Sequence, residues 1–312
     1  MMLNEHHKTV RDAFDASSPP PMMTVSSIAN GSRRRRLVAK SEREPEVEMN
    51  SKLQPVVLHL PHDSTVIPPE YRDQFMLSIE QLAAELVTMT DSHTAAIFSG
   101  ITSDRLTVRC PVSRLLVDVE RFADDAQEIM VARGMGVVYT QTSAGQRLRR
   151  TLRPGERDSL LERFYEPHHR RLTQAVSAAL QESGTVLLLD AHSFPSRPLT
   201  YELVQDRARP DICIGTDNFH TPTAVADTFM AAFADAGFSV ALNRPFAGAI
   251  VPMEFYRTNP AVHSVMVEVN RALYMNEKTG ERLPCFDEVA VRVRACCVRG
   301  STPGRKPALP RC

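Results

Sequence analysis

Six short apolar runs separated by helix-like stretches constrain this chain more than any other feature. They are VVLHL at 56–60, RLLVDV at 114–119, TVLLLDA at 185–191, DICIGT at 211–216, FSVAL at 238–242 and SVMVEV at 264–269. Strand-like runs alternating with helical patterns predict an α/β domain around one mostly parallel sheet. The run TVLLLDA is apolar at consecutive rather than alternate positions, which predicts a central strand covered on both faces. Yet it leads into Asp190 and His192, side chains that are costly to bury without partners.

Helix signals fall between the runs. Ser78 and Gln81 form a capping box ahead of Ile79, Leu82, Ala83, Leu86 and Val87, which keep the 3.6-residue period. Ser159 and Glu162 offer a second box, opening a long helix with Leu161, Phe164, His168, Leu172, Val176 and Leu180 on one stripe and a bend at Pro167. Thr221 and Pro222 start a third helix that turns Val225, Phe229 and Phe233 inward and stops at Gly237. Segment 120–157 is too long for a simple joint and reads as a lid or an extra hairpin. No internal repeat is present.

The apolar pattern bounds a domain at 53–298, and with 43% hydrophobic residues in the chain it can bury a substantial core. Residues 1–52, with SSPPPMM, the run Arg33–Arg36 and SEREPEVEM, carry no apolar period and read as a disordered leader; 299–312 read as a disordered tail. The 37 basic and 37 acidic residues cancel, so no global field points to nucleic acid or an anionic membrane, and a small-molecule partner is expected. No apolar segment reaches the ~18 residues of a membrane span, and the N-terminus lacks the apolar core of a secretory signal, so a soluble cytoplasmic protein is expected. The six cysteines form no CxxC pair and read as free thiols.

In an open α/β sheet, ligands bind beyond the carboxyl ends of the strands, and those ends are polar here. His62 and Asp63 follow VVLHL; Asp190 and His192 close TVLLLDAHS; Glu268 and Asn270 close SVMVEVN. Two histidines and a carboxylate from separate elements make the three-ligand zinc site that keeps a position open for water, and a further glutamate can serve as general base. Asp190 lies two residues from His192, on the same side of an extended strand, and reads as its orienting partner.

The ordered set LPHDS, TDSHT, VSRLLVDVER, EPHHRRL, LLLDAHSF, PDICIGTDNFHTP, NRPFAGAIVP and VMVEVNRALYM resembles the N-formylglutamate amidohydrolase family over residues 54–283. The resemblance implies a single three-layer α/β domain of the zinc-carboxypeptidase-like hydrolase type. It also implies a metal-dependent enzyme, most simply with Zn²⁺, that cleaves N-formyl-L-glutamate to formate and glutamate late in histidine breakdown. His62 and His192 are then metal ligands. The related carboxypeptidase pattern has a glutamate three residues after its first histidine, where this chain has Thr65, so the acid ligand moves to Asp91, with His93 the alternative. Glu268 takes the place of the catalytic glutamate.

A dicarboxylate substrate calls for guanidinium partners. The resemblance offers Arg114 and Arg121, although each is also placed to pair with Asp118 or Glu120. It further gives His168 a supporting role and puts Asn243 and Gly248, in NRPFAGA, in a substrate loop. Where other members resemble DLNR this chain reads DVER, with Glu120 in place of an amide. Two alternatives stay open: a deacylase for another N-acyl amino acid or small peptide, and a non-catalytic protein that binds a metal or an acidic ligand.

Overall fold

The computed structural model describes residues 54–302. The expected leader lies outside these residues, as does most of the expected tail. Six strands form one sheet: β1 (Val56–Leu60), β2 (Thr107–Arg109), β3 (Val186–Phe194), β4 (Ile212–Thr216), β5 (Val240–Leu242) and β6 (Val262–Asn270). Their order is β2-β1-β3-β6-β4-β5. β1, β2, β3 and β6 run parallel, while β4 is antiparallel to β6 and parallel to β5. The mostly parallel α/β sheet agrees with the sequence reading. The chain passes from β1 outward to β2 and then back to β3 on the other side of β1, which opens a crevice between the carboxyl ends of β1 and β3.

Among the described residues there are six α-helices: α1 (Ile79–Met89), α2 (Thr94–Ile97), α3 (Glu156–Leu160), α4 (Glu166–Ser183), α5 (Thr223–Asp235) and α6 (Phe286–Gly300). On one face Leu172 and Val176 of α4 pack on Val57, Val186, Leu188 and Val262. On the other, Phe229 and Phe233 of α5 and Val293 of α6 pack on Leu187, Leu189, Val265 and Val267. This division explains the polar end of β3. Its α5/α6 face stays apolar through Ala191, whereas its α4 face changes after Leu188 to Asp190 and His192. Neighbouring β6 does the same, with Glu268 beside His192 in the register.

The capping box at Ser78 and Gln81 forms as expected, and α5 stops at Gly237, whose φ of 83° favours glycine. Four expectations need correction. RLLVDV is not a strand: the buried guanidinium of Arg149 donates to the carbonyls of Leu115 and Leu116 at 2.8 and 3.1 Å, in place of a strand neighbour. The box at Ser159 does not open the long helix, which already begins at Glu156 after Gly155; a wide π turn over Leu161–Tyr165 then precedes Pro167, whose missing N–H interrupts the regular ladder. Segment 120–157 is no lid, because Met135, Val137, Tyr139 and Leu148 are wholly buried in a second core with Leu82, Met89 and Leu116; of a hairpin it has only the bridge Gln141 to Arg147. The tail boundary at 298 falls inside α6, which runs on until Gly300 meets Phe229.

Close approach rather than turn geometry explains Gly215 on β4. A Cβ built there would run into the Gly248 carbonyl oxygen and the Met266 side chain. Gly215→Ala is therefore expected to cost roughly 1–3 kcal/mol through overpacking, measurable as a lower urea midpoint at unchanged m. Among the described residues no helix is long and apolar enough to cross a membrane, and the five cysteines there are free.

Candidate active site

The crevice between β1 and β3 holds the polar side chains of the α4 face. His62 follows β1, and its carbonyl accepts the Asp91 N–H at 2.9 Å, which ties the end of α1 to the end of β1. Its Nε2 donates to Asp118 Oδ1 at 2.8 Å, leaving Nδ1 buried without a partner. Asp118 in turn accepts Arg114 Nη2 at 2.9 Å and the Tyr139 hydroxyl at 2.5 Å. Burial alone would push the Asp118 carboxyl up, but Arg114, His62 and Arg121 hold it well below the usual carboxylate range. An anionic Asp118 accepts the His62 Nε2–H and turns Nδ1 inward; burial and Arg114 oppose protonation of the ring, but Asp118 and Glu120 raise it above the ordinary histidine value.

His192 is set by similar means. Its Nδ1 lies 3.0 Å from Asp91 Oδ2, and its Nε2 lies 3.1 Å from Glu120 Oε1 and 3.0 Å from Asp190 Oδ1. Burial works against protonation of this ring, yet Glu120 and Asp190 together raise it well above the ordinary histidine value. The second oxygen of Glu120 lies 3.6 Å from His62 Nδ1. His62, Glu120 and His192 thus make one group able to hold a metal ion, and His59, Glu120 and Asp190 make another, each with ligand atoms within 4.8 Å of one another.

The expected acid ligand, Asp91, belongs to neither group. Its Oδ2 faces His192 Nδ1 at 3.0 Å and His62 Nδ1 at 3.8 Å, while its Oδ1 accepts Arg271 Nη2 at 2.8 Å. The alternative, His93, has both ring nitrogens engaged, Nε2 with the Gly280 carbonyl at 2.8 Å and Nδ1 with Arg282 Nε at 3.3 Å. Glu268 does reach the crevice: it is 7% exposed, its Oε2 is buried without a hydrogen-bond partner, and burial pushes its carboxyl up to about 8. His168 projects from α4 to within 2.8 Å of His59, and burial with His59 nearby pushes it down to about 2.

Of the expected substrate residues, two border the crevice. The Arg114 side chain is 12% exposed and committed to Asp118 and Tyr139. Arg121 is 23% exposed, lies 3.7 Å from Asp118, and has a buried Nε with no hydrogen-bond partner. Asn243 lies elsewhere. Because β4 runs against β6, the carboxyl ends of β4 and β5 point away from those of β3 and β6, and the Asn243 side chain bonds Thr216, which pairs with Val265 rather than Glu268. Gly248 has a φ of 100° and faces open space, and two residues on, Ile250 N–H reaches Asp190 Oδ2 at 3.3 Å.

Sequence reasoning missed His59, Asp118, Tyr139 and Arg271 as site residues. His59 is hidden inside the apolar run VVLHL, although its i, i+2 parity with Val57 could have placed it on the same face as the other polar groups. Arg271 binds Asp91, the Thr88 carbonyl and Ser193, clamping α1 to β3, and its position directly after SVMVEVN was a usable signal.

Residues 54–275 match the family model described as N-formylglutamate amidohydrolase. The chain is 27% identical over 231 residues to an N-formylglutamate deformylase of Pseudomonas aeruginosa, covering 72% of this chain and 83% of the relative. It is 26% identical over 230 residues to an N-formylglutamate deformylase of Pseudomonas putida, covering 72% and 82%. In fold it is similar to a solved N-formylglutamate amidohydrolase of Ralstonia eutropha JMP134, with a TM-score of 0.67 at 24% identity over 81% of this chain and 94% of that one. A match of this extent to the family model, together with these relatives, shows that the chain belongs to the N-formylglutamate amidohydrolase family and is a hydrolase of amide bonds.

Proposed function

We propose that this chain hydrolyses N-formyl-L-glutamate to formate and L-glutamate with a divalent metal held by His62, His192 and Glu120. The observation that carries the metal is the buried, unpartnered Nδ1 of His62, which faces the Glu120 carboxylate beside His192. Two imidazoles, each with a carboxylate partner on its other ring nitrogen, Asp118 for His62 and Asp91 for His192, and the carboxylate of Glu120 match the donor set of a catalytic Zn²⁺ site. Bound there, the ion would supply Lewis acidity and make a water acidic enough to attack at neutral pH. In place of the earlier assignment to Asp91, this reading gives the ligand role to Glu120 and leaves Asp91 to orient His192.

The protein groups divide the remaining work. Glu268 accepts a proton from the attacking water and returns it to the amine nitrogen as the formyl C–N bond breaks, so formate and a protonated glutamate leave. Glu120 and Arg121, with side chains 17% and 23% exposed, are more open than the two histidines and mark the side from which substrate enters. Arg121 is the cation for a substrate carboxylate: its Nε faces Asp118 at 3.7 Å without a hydrogen bond, and its side chain is 23% exposed. Arg121→Ala is expected to raise KM about 10- to 100-fold with kcat little changed, the loss of one charge-assisted hydrogen bond made in ground and transition states alike. Initial-rate kinetics check this, and an unchanged KM removes Arg121 from substrate binding. The same proposal places the reaction late in histidine breakdown and in the cytoplasm.

Metal analysis of the purified chain, paired with formate release from N-formyl-L-glutamate, tests the whole reading. His192→Ala should lose both metal and formate release. Release of acetate from the N-acetyl analogue, with no formate from the formyl substrate, would shift the reading to another N-acyl amino acid. A metal-free parent that still turns over would remove the metal from the proposal.

A further inference from the structure

Behind the proposed ligands lies a row of buried polar groups that the hydrolytic scheme leaves unused. His59, on β1 and wholly buried, has both ring nitrogens engaged, Nδ1 at 2.8 Å from Asp190 Oδ1 and Nε2 at 2.8 Å from His168 Nε2. Asp190 Oδ1 is also 3.0 Å from His192 Nε2. A continuous path of hydrogen bonds therefore runs from helix α4 through β1 to the proposed ligand on β3.

The protons along this path can be placed from the partners alone. A carboxylate only accepts, so His59 Nδ1 carries hydrogen. Of the two facing Nε2 atoms, one must donate. His168 Nδ1 is buried with no partner, and an orphaned buried N–H is costlier to leave than a bare ring nitrogen. The hydrogen of His168 therefore sits on Nε2 and is donated to a bare His59 Nε2. The path therefore has a single direction.

We propose that His59 is a positioning residue, relaying the hydrogen bond of His168 to Asp190 so that the Asp190 carboxylate stays fixed beside His192. The need arises from the ligand role, on which this inference rests. A ligating Nε2 is bare, so Asp190 Oδ1 loses that donor as metal binds. The His59 Nδ1–H then remains on the same oxygen, and with Ile250 N–H on Oδ2 the buried anion keeps partners at both ends.

Competition titration of the full chain with Zn²⁺ against a chromophoric chelator, alongside ring-nitrogen NMR of the metal-free parent, tests the relay. His59→Ala should bind Zn²⁺ about 10- to 100-fold more weakly, because the buried Asp190 carboxylate beside the site would lose the donor that holds it in place. His59→Asn, whose amide N–H can occupy the place of Nδ1–H, should recover most of that affinity. In the parent, NMR should find the ring hydrogen of His59 on Nδ1 and that of His168 on Nε2. Parent-like affinity in His59→Ala, an Asn variant no better than Ala, or a His168 proton on Nδ1 each overturns the relay. Should the Ala variant fail to fold, the Asn variant and the ring tautomers decide the same question. Zn²⁺ binding by the parent that ignores His59 sinks only this inference, whereas a parent that binds no Zn²⁺ removes the ligand role and the positioning role together.

Discussion

Glu268→Gln is expected to lower kcat for formate release roughly 10²- to 10⁴-fold while metal content and stability stay near those of the parent. Glu268 lies on β6 directly across from His192, on the α4 face, with one carboxylate oxygen buried and unpartnered. Glutamine has almost the same shape and fills the same space, so packing against β3 and β4 is kept. What it lacks is the capacity to accept a proton. Burial pushes the Glu268 carboxyl up to about 8, against the opposing pull of His192, so its affinity for a proton is matched to one taken from water near neutral pH. The group contributes to proton transfer and not to substrate binding, so the loss should fall on kcat with little change in KM. Initial rates and metal analysis on the same samples check both halves. A variant that keeps full turnover would leave the proton transfer to another group.

The parts of this architecture that were legible in the sequence are those set by local pattern. β3 and β6 announce themselves because their apolar side chains persist on one face while the other changes to Asp190, His192 and Glu268. The capping box of α1 is likewise local. What was not legible depends on distant partners. RLLVDV has the composition of a strand, but Arg149, 34 residues beyond Leu115, takes its carbonyls instead. DICIGT and FSVAL look like any other parallel units, yet the reversal of β4 against β6 carries Asn243 away from the crevice. Glu120 read as a departure in a substrate motif. Only the folded chain brings its two oxygens to 3.1 Å from His192 and 3.6 Å from His62.

Asp118→Ala should be the most damaging single change in the site for the fold itself, with a loss of about 3–5 kcal/mol of unfolding free energy measured by urea titration. Asp118 has no solvent exposure and is the common acceptor for His62, Arg114 and Tyr139, with Arg121 at 3.7 Å. Removing it leaves the Arg114 guanidinium facing a stranded hydroxyl and an unpaired imidazole N–H, and an uncompensated buried charge is the costly outcome. The loss can be divided into a structural and a functional share. Combining Asp118→Leu with Arg114→Met and Tyr139→Phe removes the charge together with two of the groups it would strand, and such apolar replacements commonly restore much of the stability. Zn²⁺ affinity should nonetheless stay about 10- to 100-fold below the parent, because His62 Nε2 would still lack the acceptor that turns Nδ1 inward. Recovery of stability without recovery of Zn²⁺ affinity would separate the two roles of Asp118. Recovery of both would show that the carboxylate serves only to neutralise Arg114 and has no part in setting the tautomer of His62.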